Sequence, residues 1–203
     1  MKQILLISAV CLLFLSNCKK DQLPKKRTGK SANNHEYYLE KAEAATELYQ
    51  RGEYEKSKIA FEQLLNQKNI PHHLKAELKN NYACLLNQLG YRTAAQHIWR
   101  QLSHDPHYHT PEVAWFNLGL LSLQDSEQRK ALGLKSSQLA NASLGHFSQA
   151  LQRNPAYVDA LFFQAQAFLS CKKTNAARKS LKKVLEFAPE HRAARQLLKK
   201  IAA

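Results

Sequence analysis

Helix breakers are scarce in this chain of 203 residues, which holds six glycines and six prolines. A β-sandwich or barrel needs a turn signal about every ten residues, so a many-stranded architecture is excluded. Cysteine is scarce too: Cys11, Cys18, Cys84 and Cys171 are too few and too widely spaced for a disulfide framework. The longest apolar stretch, Ile4 to Leu15, falls short of the roughly 20 residues that a spanning helix requires. No phosphate-cradling glycine loop, no G-x-S-x-G elbow and no H-E-x-x-H pair occurs. These absences argue against an enzyme. Neither a cofactor nor a small-molecule substrate is expected.

Acidic residues are in deficit as well, and the net charge is +14. The excess is local. Residues 18–34 carry +5, residues 35–171 are neutral, and residues 172–203 carry +8. The middle of the chain is therefore no polycation. Nucleic acid is the other usual partner of such charge, but the leader described below points out of the cytoplasm, so it is not expected. The basic segment near the start reads as a solvated spacer or as a patch for anionic headgroups.

What is present begins with a leader. Lys2 precedes a short apolar run, the pattern of a secretory signal. Leu15-Ser16-Asn17-Cys18 then resembles the end of a bacterial lipoprotein signal, in which the cysteine after the cut receives lipid. Asn17 departs from that pattern, where Gly, Ala or Ser is usual. The resemblance implies a signal peptide over 1–17, lipidation at Cys18, and a basic flexible tether over 18–34. Several acyl chains at one cysteine, at ~0.8 kcal/mol per buried methylene, make a firm anchor. The remaining thiols, Cys84 and Cys171, are expected as separate buried residues rather than a disulfide.

From Glu36 onward apolar residues recur at helical spacing, and breakers fall at intervals. Pro155 and Pro189 stand 34 residues apart. Small and large residues alternate four apart in Ser57-x3-Phe61, Ala95-x3-Trp99, Ser143-x3-Phe147 and Ala177-x3-Leu181. Trp115-x2-Leu118-Gly119 supplies a matching first half, and Gly52 and Gly90 mark turns between paired helices. This pattern resembles the tetratricopeptide repeat. The resemblance implies an all-α, right-handed α-solenoid of about four helix pairs over 35–203. Its repeats would lie near 38–71, 76–109, 112–157 and 158–191, with a capping helix over 190–202. Between Gly119 and Phe147 the third repeat carries about 12 extra residues, around 125–138, which lengthen both helices or form a projecting loop. The cap bears a basic face of Arg192, Arg195, Lys199 and Lys200, either solvated or facing an acidic partner or membrane.

In that family the first helix of each pair lines a peptide groove. Carried over, the groove positions include Tyr49, Asn80, Asn87, Phe116, Leu120, Phe162 and Gln166. Ala42 and Val113 stand where a clamp for an acidic C-terminal tail would need polar groups, so no such clamp is expected. His104, His107 and His109 near Asp105, with His72 and His73, read as polar turn residues rather than a metal site. The expected function is a membrane-anchored scaffold that binds a protein or peptide partner in the cell envelope. Assembly of a secretion or pilus complex at the periplasmic face of the outer membrane is the expected setting. An accessory subunit of a periplasmic transport system is the alternative.

Overall fold

A computed structural model describes residues 30–201, with side chains from residue 35 onward. The signal segment, Cys18 and most of the tether lie outside the described residues. Nine helices and no strand occur among the described residues. They are α1 (Lys30–Gln50), α2 (Tyr54–Leu65), α3 (His72–Gln88), α4 (Arg92–Leu102), α5 (Pro111–Ala131), α6 (Ser137–Arg153), α7 (Val158–Ser170), α8 (Thr174–Phe187) and α9 (Arg192–Lys200). The result is an all-α fold of four helix pairs and a final capping helix. The chain divides into two compact units at His109/Thr110. Helix α1 begins at Lys30, inside the stretch expected as tether.

The turns inside the pairs share one hydrogen-bond pattern. The amide of Gly52 donates to Tyr49 O and that of Glu53 to Leu48 O; Gly90 and Tyr91, then Gly133 and Leu134, repeat both bonds on their own helices. This closes the helix end with one residue in the left-handed region, which suits glycine because it has no Cβ. The fourth pair makes the same two bonds from Lys172 and Lys173, with Lys172 at φ 59°.

In the first unit, α1 and α2 close over Tyr38, Ala42, Ala45, Phe61 and Leu64, and α3 adds Leu74, Leu78 and Leu85. Ser57 Oγ donates to Ala45 O at 2.7 Å, so the small residue lets α2 approach the α1 backbone. Tyr82 of α3 donates to Glu62 Oε1 at 2.6 Å. Burial, and then that carboxylate, push the Tyr82 phenol above its ordinary range.

In the second unit the closest approach is between α5 and α6. A Cβ built on Gly119 would stand 2.6 Å from the Phe147 ring, so only glycine leaves that ring its place. Helices α7 and α8 bury Leu161, Ala165, Ala177, Leu181 and Val184. Ala194 of α9 closes this cluster, with Leu197, Leu198 and Ile201 packed at its edge. His191 caps α9, its Nδ1 accepting the Ala194 amide at 3.1 Å.

The small–large register of the sequence is the register of the core. Ser57, Ala95, Ser143 and Ala177 are fully buried, and Phe61, Trp99, Phe147 and Leu181 are at most 1% exposed. Truncating one of these aromatics to Ala would cost about 3–5 kcal/mol. The extra residues of the third repeat lengthen both helices. Helices α5 and α6 have 21 and 17 residues, against 13 and 14 for α7 and α8. Cys84 is buried and Cys171 half-buried, and neither is in a disulfide. Cys171 thus departs from the expectation of a core thiol, because it ends α7 as its C-cap.

Candidate partner-binding faces

Most of the expected groove residues are buried. In the first unit Tyr49 is buried, with its ring 5.3 Å from Tyr54 and edge-on to it. Asn80 is 1% exposed, and its Oδ1 accepts the Trp99 indole N–H at 3.2 Å. It satisfies a core donor that would otherwise be stranded. Asn87, two turns further along α3, is half-buried. Its Oδ1 is closed to solvent and meets no hydrogen-bond donor among the described residues.

In the second unit Phe116 and Leu120 belong to the core. The Phe116 ring lies 6.0 Å from Phe147, 5.0 Å from Tyr157 and 5.9 Å from Phe163. These residues come from α6, the α6–α7 turn and α7, so the stripe carried over to α5 is consumed by packing. The same holds for Ala42 and Val113, both buried. Four of the seven expected groove residues, Tyr49, Asn80, Phe116 and Leu120, are therefore structural. The physical reason is that an apolar position at groove spacing and an apolar position at core spacing look alike along one helix. Only the neighbouring helices separate them.

Phe162 and Gln166 do remain half-exposed, on α7. With Asp159 they form one stripe at spacings of three and four residues. The Phe162 ring sits 5.5 Å from Phe163 and 4.8 Å from His191. Burial pushes the Asp159 carboxyl above its ordinary range, and the nearby His191 opposes this. The stripe thus presents a ring, an amide and a carboxyl with a weakened hold on its charge. Nothing in the spacing of α7 announces His191. It arrives from the cap of α9, and only the fold brings it there.

The histidines of the first unit also gather. His72 stacks on His107 at 5.0 Å, His73 lies 6.1 Å from His109, and His35 lies 5.8 Å from His73. Burial, then the neighbouring His35 and His109, hold the His73 imidazole below its ordinary range. Among the described residues no group of three or more His, Cys, Asp or Glu is placed to hold a metal ion. Nor is any described helix long and apolar enough to cross a membrane.

Paired helices, small-on-large packing and left-handed turns inside each pair are now established, and comparison with known proteins agrees. Residues 134–201 match the family model described as tetratricopeptide repeat. The fold is that of the tetratricopeptide repeat. A crystal structure of MamA aligns at 16% identity and a TM-score of 0.59, covering 77% of this chain and 81% of that one. The MamA RS-1 ArsTM double mutant aligns at 14% identity and a TM-score of 0.60, covering 79% and 83%. At such identities the likeness is one of fold. No curated protein matches the chain. The family match covers α6 to α9, while the earlier tetratricopeptide pairs are recognised by their geometry.

Proposed function

We propose that this chain is a tetratricopeptide scaffold that binds a protein partner through the α7 stripe. We further propose that lipid at Cys18 holds it to the membrane of a cell envelope, at the periplasmic face of the outer membrane. A secretion or pilus assembly is the setting we infer. The carrying observation is the half-exposed Asp159–Phe162–Gln166 stripe beside His191, in a fold whose repeats bind proteins. Phe162 supplies an aromatic anchor with two rotatable bonds to immobilise. Gln166 offers both a donor and an acceptor to a partner backbone. The Cys18 anchor is supported by the leader alone. A scaffold rather than a catalyst follows from fold-level analogy together with the missing nucleophile and phosphate motifs.

The experiment is site-specific photo-crosslinking in membranes of cells that make the full chain. A photoreactive residue replaces Gln166, and in a control it replaces Ser148, an exposed residue on α6. The expected result is a protein adduct at position 166, absent at 148, and lost on Phe162→Ala in a variant of unchanged far-UV circular dichroism. Equal adducts at both positions would refute the assignment. Separately, a mass spectrum of the mature chain that shows Cys18 without acyl groups would refute the anchor without touching the groove.

A further inference from the structure

We propose that the turn between α5 and α6 is a membrane-contact tip. Leu132 and Leu134 enter the interfacial layer of a bilayer rich in anionic lipid, while Arg129, Lys130, Lys135, Lys172 and Lys173 meet the headgroups. This inference does not rest on the partner-binding stripe or on the acyl anchor.

The first observation is exposure. Six large apolar side chains are exposed among the described residues, and two of them fall within this one turn. Leu132 is 67% exposed and Leu134 51%. A helix end of this kind ordinarily packs the apolar residue after its glycine onto a residue in the preceding turn. Here that position is Arg129, the acceptor of the Leu134 amide, so Leu134 gains no apolar cover from its own turn.

The second observation is rigidity. The Leu134 amide donates to Arg129 O at 2.9 Å and the Gly133 amide to Lys130 O at 3.0 Å. Arg129 Nε donates to Lys135 O at 3.0 Å, and Ser126 Oγ to Ser136 O at 3.1 Å. The leucines are held outward by a closed turn. Entering a bilayer would cost little further order.

The third observation is depth. The neighbouring α7–α8 turn reaches α6 at Asn141, where Cys171 Sγ donates to Asn141 Oδ1 at 3.7 Å. Helix α6 begins at Ser137, four residues further out, which at the helical rise is about 6 Å, and the turn lies beyond that. Interfacial segments bury their apolar faces about 5–10 Å deep. Lys172 and Lys173, both exposed, directly follow Cys171. They therefore stand one layer behind the leucines, at the depth where headgroups would lie.

The charges facing this edge are unbalanced. Five cations stand against two carboxylates, Asp125 and Glu127. The charge favours lipid: two exposed leucines ringed by an excess of cations match the apolar interior and anionic headgroups of a bilayer.

The test uses the mature chain from Cys18 without acyl groups, carrying Leu134→Trp, and reads the emission it adds to that of the parent chain. Vesicles of phosphatidylglycerol mixed with phosphatidylcholine should shift this emission to the blue, and brominated acyl chains should quench it. Phosphatidylcholine alone should do neither. Ile59→Trp, at an exposed apolar position on α2, should show no shift. Exchanging Lys130, Lys135, Lys172 and Lys173 for Gln in the Leu134→Trp chain should raise the lipid needed for half the shift at least about tenfold. Emission that ignores anionic vesicles overturns the proposal, as does an equal shift with phosphatidylcholine alone. A shift produced by delipidated membrane proteins but not by protein-free vesicles also overturns it, in favour of a protein socket.

Discussion

Gly119 is the sharpest point at which the packing can be tested. It lies inside α5 and is buried. A methyl group there would sit 2.6 Å from Phe147 Cε1, 2.7 Å from Cδ1 and 3.0 Å from Cζ. Ordinary contact begins near 3.4 Å, so the ring would have to retreat by about 0.8 Å. Phe147 is fully buried and its ring is bounded by Phe116 at 6.0 Å, so the helices must part instead. Overpacking of this kind costs about 1–3 kcal/mol, while Gly→Ala inside a helix contributes about 1 kcal/mol of stability. The expected net effect of Gly119→Ala is a loss of up to roughly 2 kcal/mol. Gly145, on α6, is the matched control, because a methyl there meets nothing within 4 Å. Gly145→Ala should therefore stabilise by about 0.5–1 kcal/mol, the helix term alone. Urea unfolding followed by far-UV circular dichroism, with both variants at a common slope, reads the opposite signs. Combining Gly119→Ala with Phe147→Leu should cost less than the sum of the two single changes, since the smaller side chain yields the space. If Gly119→Ala stabilised as much as Gly145→Ala, the close approach of α5 to α6 would be refuted.

Lys172→Gly removes a side chain from the left-handed region and should stabilise by about 1 kcal/mol in the same urea assay; a loss would show that this turn is not strained. Asn80→Ala strips the acceptor from the Trp99 indole and should cost about 1–3 kcal/mol, with a change in tryptophan emission; an unchanged midpoint would contradict the pairing. Asp159 has its carboxyl raised in the folded state. Its protonated form favours folding, in full below the ordinary carboxylate range, and that contribution is lost as pH rises through the raised value. Asp159→Asn should then be more stable than the parent near neutrality, with the difference shrinking as pH falls into the carboxylate range. A difference that grows on acidification would reverse the reading.

Much of the architecture was legible in the chain. The repeating small–large pairs put Ser57 under Phe61 and Ala177 under Leu181 because a helix–helix contact needs both at a one-turn spacing. Gly52 and Gly90 mark helix ends because the left-handed turn tolerates glycine best. The turn at Lys172 has the same geometry without the glycine, so composition could not reveal it. The extra residues of the third repeat were visible as a count, but both a loop and longer helices satisfied that count. Ala131 and Ser137 as helix ends settled it.

The partner face was legible only in part, and the reason is physical. A one-dimensional periodicity states that a helix has an apolar side, not what covers it. Phe116 and Phe162 look alike in sequence; Tyr157 and Phe163 bury the first, while the second stays half-open beside His191. Local spacing and composition carry the helical class, the pairing register and the concentration of basic charge toward the end of the chain, so these could be read without the fold. Tertiary structure alone decided which aromatics are core, which histidine meets Asp159, and that Leu132 and Leu134 stand uncovered, because each depends on elements that are distant in the chain.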